Sequence, residues 1–587
     1  MTQSTPHLTP ARCAYSLVRP TLLIFIFVFL SSCHAGSSPD RPPLPTAGPS
    51  SEAQDESTPT AKPTEVVSFS PPYSTWIDPD LPQLLRDRLA GLNEFPPSGS
   101  TDTAQVILSA ESGEPLGEWL FLAAAPFYTY TKGINSADLR SCWESASSDK
   151  STFDKVLTTQ ASENILTHIF GEPDYDCVLI VDESELPDTL WLHPGAIALI
   201  PFEAIDPAYR ILEIDGQDPL SKTFESARYP LAVPFYYQAP FDIKPVLASQ
   251  IDLTNFNQDK MTIVALTGVT AMVRDTAVLM EENGLTYPAE EVKEILTSAD
   301  ITHINNEVPF AEDCPPPSSS QNSLQFCSDD RYLALMEDVG TDIVELSGDH
   351  FGDWGPEAML HTLDLYRQQG WLMYGGGENL QAGLDPVFIT DHGNRFAFIG
   401  CNGKSFDRYA TATDTNPGAS RCDFEWMVPE IQQLTAEGYL VIATMQHEEV
   451  DSFYAVALQL HDFRLLADAG AVIVSGSQAH HPQAFEYTGS SFIHYGLGNM
   501  FFDQWYLATR VPEVHAYKDK SFIDLHYFYD GRYIGTRLIP LQFIDNARPR
   551  PMTEDEEVDF LDKVYEYSLW KGNWVYLYPA GYFSDGE

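Results

Sequence analysis

The chain has 587 residues, of which 43% are hydrophobic and 12% aromatic; this is more than one core usually organises, so two or three domains are expected. Its 33 basic and 84 acidic side chains leave a formal net charge of −51 at pH 7. A field of that sign excludes electrostatic capture of nucleic acid and of anionic lipid head groups, and it suits a solvated acidic coat on an extracellular protein.

At the N-terminus, Arg12 and Arg19 precede the apolar run 21–30 (TLLIFIFVFL). That run is shorter than the roughly 20 residues needed to span a bilayer, so it reads as the core of an export signal. Leu30-Ser31-Ser32-Cys33 resembles the lipobox of bacterial lipoproteins. The resemblance implies a signal peptide over 1–33, an acylated Cys33 as mature N-terminus, and a protein tied to the membrane by lipid and facing outside the cytoplasm. An ordinary cleaved signal is the alternative. Residues 34–66 are rich in Ser, Pro, Thr and Ala and cannot bury enough apolar surface to order themselves, so they read as a linker.

Six cysteines remain beyond Cys13 and Cys33: Cys142, Cys177, Cys314, Cys327, Cys401 and Cys422. An even number in an oxidising compartment permits three disulfides. Neighbours in sequence suggest Cys142 with Cys177, Cys314 with Cys327 and Cys401 with Cys422, one of 15 pairings. No Cys-x-x-Cys occurs, which argues against a thiolate zinc site.

Residues 67–245 alternate strand-like runs at 119–125, 177–181 and 196–201 with helix-like segments such as 153–170. The succession WLFLAAAPF, IALIPFEAIDPAYRILEIDG and YPLAVPFYY resembles the type 2 solute-binding fold. A purely structural accessory domain fits the same pattern.

A second α/β unit is expected over 260–505. Its strands at 262–267, 300–304, 342–346, 440–445 and 471–475 each end in a glycine or a polar cluster. Ligands in open α/β sheets gather at the carboxyl ends of strands, so these endings are expected to converge on one crevice. Residues 506–587 read as a β-hairpin (522–529 with 533–541) and a helix (553–569) completing the same unit. The aromatic run 570–583 reads as core packing or as a stacking platform.

Glu307, Asp349, His350, His447 and His480 stand at those strand ends, and carboxylate with imidazole suits manganese, zinc or iron. A two-metal phosphoesterase needs such ligands around cations about 3.5–4 Å apart. Loop bracing or helix capping accounts for each residue singly. The ordered motifs point further. Asn305-Asn306-Glu307-Val308-Pro309, 348–355 (GDHFGDWG), Gly375-Gly376-Gly377 with Ala382, His447 with Asp451, 468–480 (DAGAVIVSGSQAH) and 493–502 (IHYGLGNMFF) together resemble the CapA family, named for capsule and poly-γ-glutamate synthesis. That resemblance implies an α/β fold: a C-terminal four-layer α/β/β/α metallophosphatase-like sandwich, preceded here by the α/β solute-binding-like domain. It also implies a divalent ion held by Glu307, Asp349, His350, His447 and His480, with His350 assisting a leaving group and Asp353 beside it.

Departures from the family pattern limit what is inherited. Val269 stands where a metal-binding aspartate is expected after Gly268, Asp349 replaces an asparagine, and Gln478 replaces the first histidine of an H-x-H pair. One metal position has therefore lost much of its shell. Two functions stay open: synthesis, anchoring or remodelling of an extracellular anionic polymer, alone or with its synthase complex and with or without phosphoesterase-like hydrolysis; or non-catalytic ligand binding through the N-terminal domain. No phosphate-binding G-x-x-x-x-G-K-[ST] loop, G-x-S-x-G elbow or H-E-x-x-H helix is present.

Overall fold

The computed structural model describes residues 70–144, 153–404 and 410–568, leaving aside the side chains of 513 and 514. The signal with Cys33, the linker 34–66 and the aromatic run 570–583 lie outside the described residues. Among the described residues no helix is long and apolar enough to cross a membrane.

The first nine-stranded sheet is organised on the long strand Glu114–Pro126, whose apolar half (Trp119 to Ala125) is buried on both faces. It pairs antiparallel with Ala232–Gln238, Ala196–Pro201 and Tyr209–Ile214. The stretch 153–170, read from sequence as one helix, is a strand and a helix. Val156-Leu157-Thr158 enters the sheet as Lys155–Thr158, parallel to Ala196–Pro201, and Thr159 caps the helix Gln160–Phe170 by accepting from Ser162 N–H. Stiff and apolar side chains favour the buried strand, and the cap resets the backbone.

Two large sheets, with the two-stranded pair Gly376–Gly377/Gly418–Ala419 beside them, build the second half. One is nine-stranded and carries Met261–Thr267, Ile301–Asn306 and Ile343–Glu345 as parallel neighbours. The hairpin Lys520–Tyr529/Arg532–Phe543 extends this same sheet, pairing antiparallel with Met261–Thr267. The other sheet has six strands, with Asn394–Asn402, Leu440–Gln446 and Ile473–Ser477 parallel at its centre.

The period-2 alternation of a strand assigns each face. Val264, Leu266, Ile301 and Ile343 of one sheet meet Phe396, Phe398, Ile442 and Ile473 of the other in a shared core. Their neighbours point outward. Ile263, Ala265, Ile304 and Val344 pack with Met359, Leu363 and Tyr366 of the helix Gly355–Gln369. On the far side Val441, Ala443 and Val474 pack with Met427, Ile431 and Leu434 of Phe424–Ala436 and with Leu460 and Phe463 of Ala457–Ala469. The result is helix, sheet, sheet, helix: the four-layer α/β/β/α arrangement.

Among the described residues three disulfides are present, Cys142–Cys177, Cys314–Cys327 and Cys401–Cys422, each between sequence neighbours. The closing helix Glu554–Tyr567 starts in a reciprocal capping box between Thr553 and Glu556.

Several histidines are buried in these cores. Burial pushes His303 down to about 3, and His481 and His526 down to about 4. An unfolded chain takes up these protons near pH 6.5, whereas the folded chain resists them until pH 3–4. The stability they allow is therefore complete above about pH 6.5 and falls as pH drops toward 4, by up to about 1.4 kcal/mol per histidine per pH unit. Melting temperatures measured between pH 7.5 and 4.5 should decline, and His526→Gln should make the decline shallower; a flat profile would contradict this account.

Candidate functional site

The crevice lies where the carboxyl ends of strands from both sheets meet. Its floor is a polar network on inward-facing positions between the sheets. His303 Nε2 lies 2.9 Å from the Tyr374 hydroxyl, which also accepts from Thr444 Oγ1 at 2.9 Å. Asn305 Nδ2 donates to Glu345 Oε2 at 2.8 Å and to Ser477 Oγ at 3.2 Å, and the Ser347 hydroxyl donates to Glu345. Burial pushes the Glu345 carboxyl up despite its hydrogen bonds to Ser347, Asn305 and Thr444.

Above this floor Glu307 follows Ile301–Asn306, and Asp349 and His350 follow Ile343–Glu345. One ligand atom from each of the three lies within 4.8 Å of the others. Gly348 permits this approach, since a Cβ there would come within 2.7 Å of the Glu307 carbonyl oxygen. Glu307 is buried, and its enclosure together with the facing Asp349 carboxylate pushes its pKa up to about 8. Burial also disfavours the Asp349 charge, but His350 and Lys404 prevail and hold its pKa below the usual value.

His350 Nδ1 lies 2.7 Å from Asp353 Oδ2, and that same oxygen accepts from Phe326 N–H at 2.8 Å. Burial works against a charged His350, yet the bond to Asp353 and the charges of Glu307 and Asp349 raise it to about 9. Asp353 thus fixes the ring and its protonation, and Phe326 packs edge-on against it with centroids 4.9 Å apart.

Two of the five expected ligands are not in this group. His447 is fully buried and turns the other way, with Nε2 3.0 Å from Asp462 Oδ2 on the outer helix Ala457–Ala469. His480 Nδ1 is engaged 2.7 Å from Asn499 Oδ1, and burial pushes its pKa down to about 4. Asp451, aligned with the acid of the His447 motif, pairs instead with Lys518 at 2.8 Å and His515 at 3.1 Å. Val269 packs in an apolar cluster with Val308, Phe326 and Phe502. The loop through Gln478 and His480 is strained, both residues having positive φ, +82° and +49°.

In place of the two histidines stand residues that sequence reading did not select. Gln446 Nε2 donates to Glu307 Oε1 at 3.1 Å and to Asp349 Oδ1 at 3.3 Å. Lys404 Nζ donates to Asp349 Oδ2 at 2.7 Å. With its oxygen turned to accept from Lys404 Nζ at 2.7 Å, the Gln478 amide donates to Glu307 Oε1 at 2.9 Å and to Asp349 Oδ1 at 3.2 Å and lies against the Gln446 amide. Strand parity would have found Gln446. Along Leu440–Gln446 even positions face the other sheet and odd positions face the helices, so Gln446 points inward and His447 outward.

Two buried carboxylates facing each other, with an imidazole and amide groups around them, are a donor set compatible with one divalent ion. Among the described residues no further carboxylate or imidazole joins this group: Val269 contributes only hydrocarbon, His480 Nδ1 is engaged by Asn499 and His447 Nε2 by Asp462, while the buried His447 Nδ1 has no hydrogen-bond partner.

The family model of the bacterial capsule synthesis protein PGA_cap matches residues 263–504. The chain is 24% identical over 301 residues to the capsule biosynthesis protein CapA of Bacillus anthracis, covering 50% of this chain and 70% of that one. It is 21% identical over 328 residues to the PGA biosynthesis protein CapA of Bacillus subtilis, covering 55% and 83%. Among solved structures it is similar to a putative 5'-nucleotidase from Staphylococcus aureus, at 9% identity, coverage of 51% and 57%, and a TM-score of 0.31.

Proposed function

Since the chain belongs to the bacterial capsule synthesis family CapA through residues 263–504, we propose that it acts at the cell envelope in the synthesis, anchoring or remodelling of an extracellular anionic polymer, using a site for one divalent ion. The observation that carries this reading is the meeting of Glu307, Asp349 and His350 within 4.8 Å of one another. A protein of net charge −51 needs local positive charge to approach an anionic chain. Charged His350, Lys404 and a bound divalent ion supply it. Lipid attachment through Cys33 would hold the crevice at the membrane surface, where a growing polymer emerges.

In this reading Glu307 and Asp349 would hold the ion; of manganese, zinc and iron, manganese best suits carboxylate oxygens. When bound, the ion polarises a phosphoryl or similar oxygen and activates water. The Asp353 carboxylate orients His350 and favours its charged form, from which a proton could pass to a leaving oxygen. Asp353 acts through His350 as a positioning residue.

The test is elemental analysis of the full chain purified in detergent, followed by a generic phosphoester assay. Stoichiometric metal with turnover that falls about tenfold in Asp353→Asn, together with an acid shift of the His350 titration, supports the hydrolase. Metal-free protein that binds poly-γ-glutamate without turnover supports a second reading, a non-catalytic binding protein. One feature favours that alternative: Gln446 and Gln478 already donate to both carboxylates, and Lys404 donates to Asp349.

A further inference from the structure

A two-ion centre places two divalent charges about 3.5–4 Å apart, and in this crevice a side chain of the protein stands among the carboxylates. Lys404 lies just beyond the strand Asn394–Asn402. Its backbone N–H donates to Asn402 Oδ1 at 3.0 Å. The Asn402 amide in turn donates to the Ser347 carbonyl at 2.7 Å and to Gln446 Oε1 at 3.1 Å, which pins the start of this loop to both sheets. The ammonium reaches inward to Asp349 Oδ2 and to the Gln478 amide oxygen, each at 2.7 Å. A neutral amide oxygen and a carboxylate satisfy a compact ammonium well, and an amide is a poor ligand for a transition ion. Val269, Phe326 and Phe502 lie together in an apolar cluster, and their side chains offer no ligand.

We propose that the Lys404 ammonium takes the place of a second divalent cation, so that the crevice holds one ion beside a built-in monovalent charge. An anionic group entering the site is then met by the ion on one side and by Lys404 on the other. The two carboxylates keep their partners in the absence of any ion, which makes the site stable when empty and lowers its affinity for the ion it takes. This inference rests on the one-ion reading above, and its test separates the two.

The full chain is dialysed against manganese at increasing concentration, and bound metal is counted by elemental analysis alongside calorimetric titration. The wild type is expected to bind one manganese per chain, and Lys404→Arg, which keeps the charge, to bind the same number. Lys404→Ala is expected to bind a second ion or to bind the first at least tenfold more tightly; Lys404→Gln, which keeps the reach without the charge, stands in should the alanine variant fail to fold. Two ions in the wild type, or number and affinity unchanged within twofold in both neutral variants, would overturn the proposal. If the wild type binds none and a neutral variant binds one, Lys404 is the surrogate and the one-ion reading of the native site is lost. If no form binds manganese, both fall.

Discussion

Manganese affinity is expected to fall by at least about 100-fold when Glu307→Gln and Asp349→Asn are combined, because the pair supplies every negative charge of the cluster. Replacing groups that merely support metal ligands already costs about 10–100-fold, and loss of the charged ligands themselves should exceed that. Glu307→Gln by itself should fold at least as stably as the wild type at neutral pH, whereas Asp349→Asn leaves Lys404 and His350 without their carboxylate and should lower stability. Glu307 has its pKa raised to about 8 by enclosure and by Asp349, so its folded form favours the proton; the stability linked to it is full below the unfolded value near 4.3 and is lost as pH rises through about 8. A glutamine removes that cost. Calorimetry with manganese and a melting curve decide the matter together: affinity retained within threefold would show that the ion binds elsewhere or not at all, whereas loss of binding with loss of folding would leave the single variants to be compared.

The second large effect lies behind the crevice wall. Arg274 donates through Nε and Nη2 to Asp503 Oδ1 at 3.0 and 2.7 Å, and Asp503 Oδ2 accepts from Asp275 N–H at 3.0 Å. Its guanidinium sits 5.1 Å from the ring centroids of both Phe326 and Phe502. Asp503→Ala strips the partner from a largely enclosed cation, a change that typically costs about 3–5 kcal/mol. The double variant Asp503→Leu with Arg274→Met should lose much less, since no charge is then left unpaired. Because Phe326 also packs against His350, Asp503→Ala should move the His350 imidazole resonance in NMR as well as lowering the melting temperature. Equal losses in the single and double variants would mean that the ion pair is immaterial and only the packing counts.

Much of the fold was legible in the sequence because it is written in local patterns. Apolar runs such as 262–267 and 440–445, each followed by a polar cluster, specify buried strands whose ends lie at one edge, and the alternating 522–529 and 533–541 specify a hairpin. The same local reading failed at 153–170, where a short apolar triplet inside a helix-like stretch was drawn into the sheet by pairing with Ala196–Pro201. Secondary structure of so short a segment is decided by its neighbours in space.

The candidate site divides in the same way. Glu307, Asp349 and His350 follow directly on strands that lie side by side, so their meeting could be anticipated from the chain. His447 was chosen by residue type, but side-chain direction in a strand reverses at each step, and it faces Asp462 while Gln446 faces the carboxylates. Lys404 carries no signal at all in the sequence, being one lysine in an ordinary loop. Its role exists only because the two sheets stack and bring the end of Asn394–Asn402 beside Asp349. The order of residues thus fixed the strands, the chemistry available at their ends and the three cysteine pairs suggested by proximity. Which of those chemical groups share one crevice was left to the packing of sheet on sheet, since contacts between residues 55 to 139 positions apart depend on core geometry that no local pattern records.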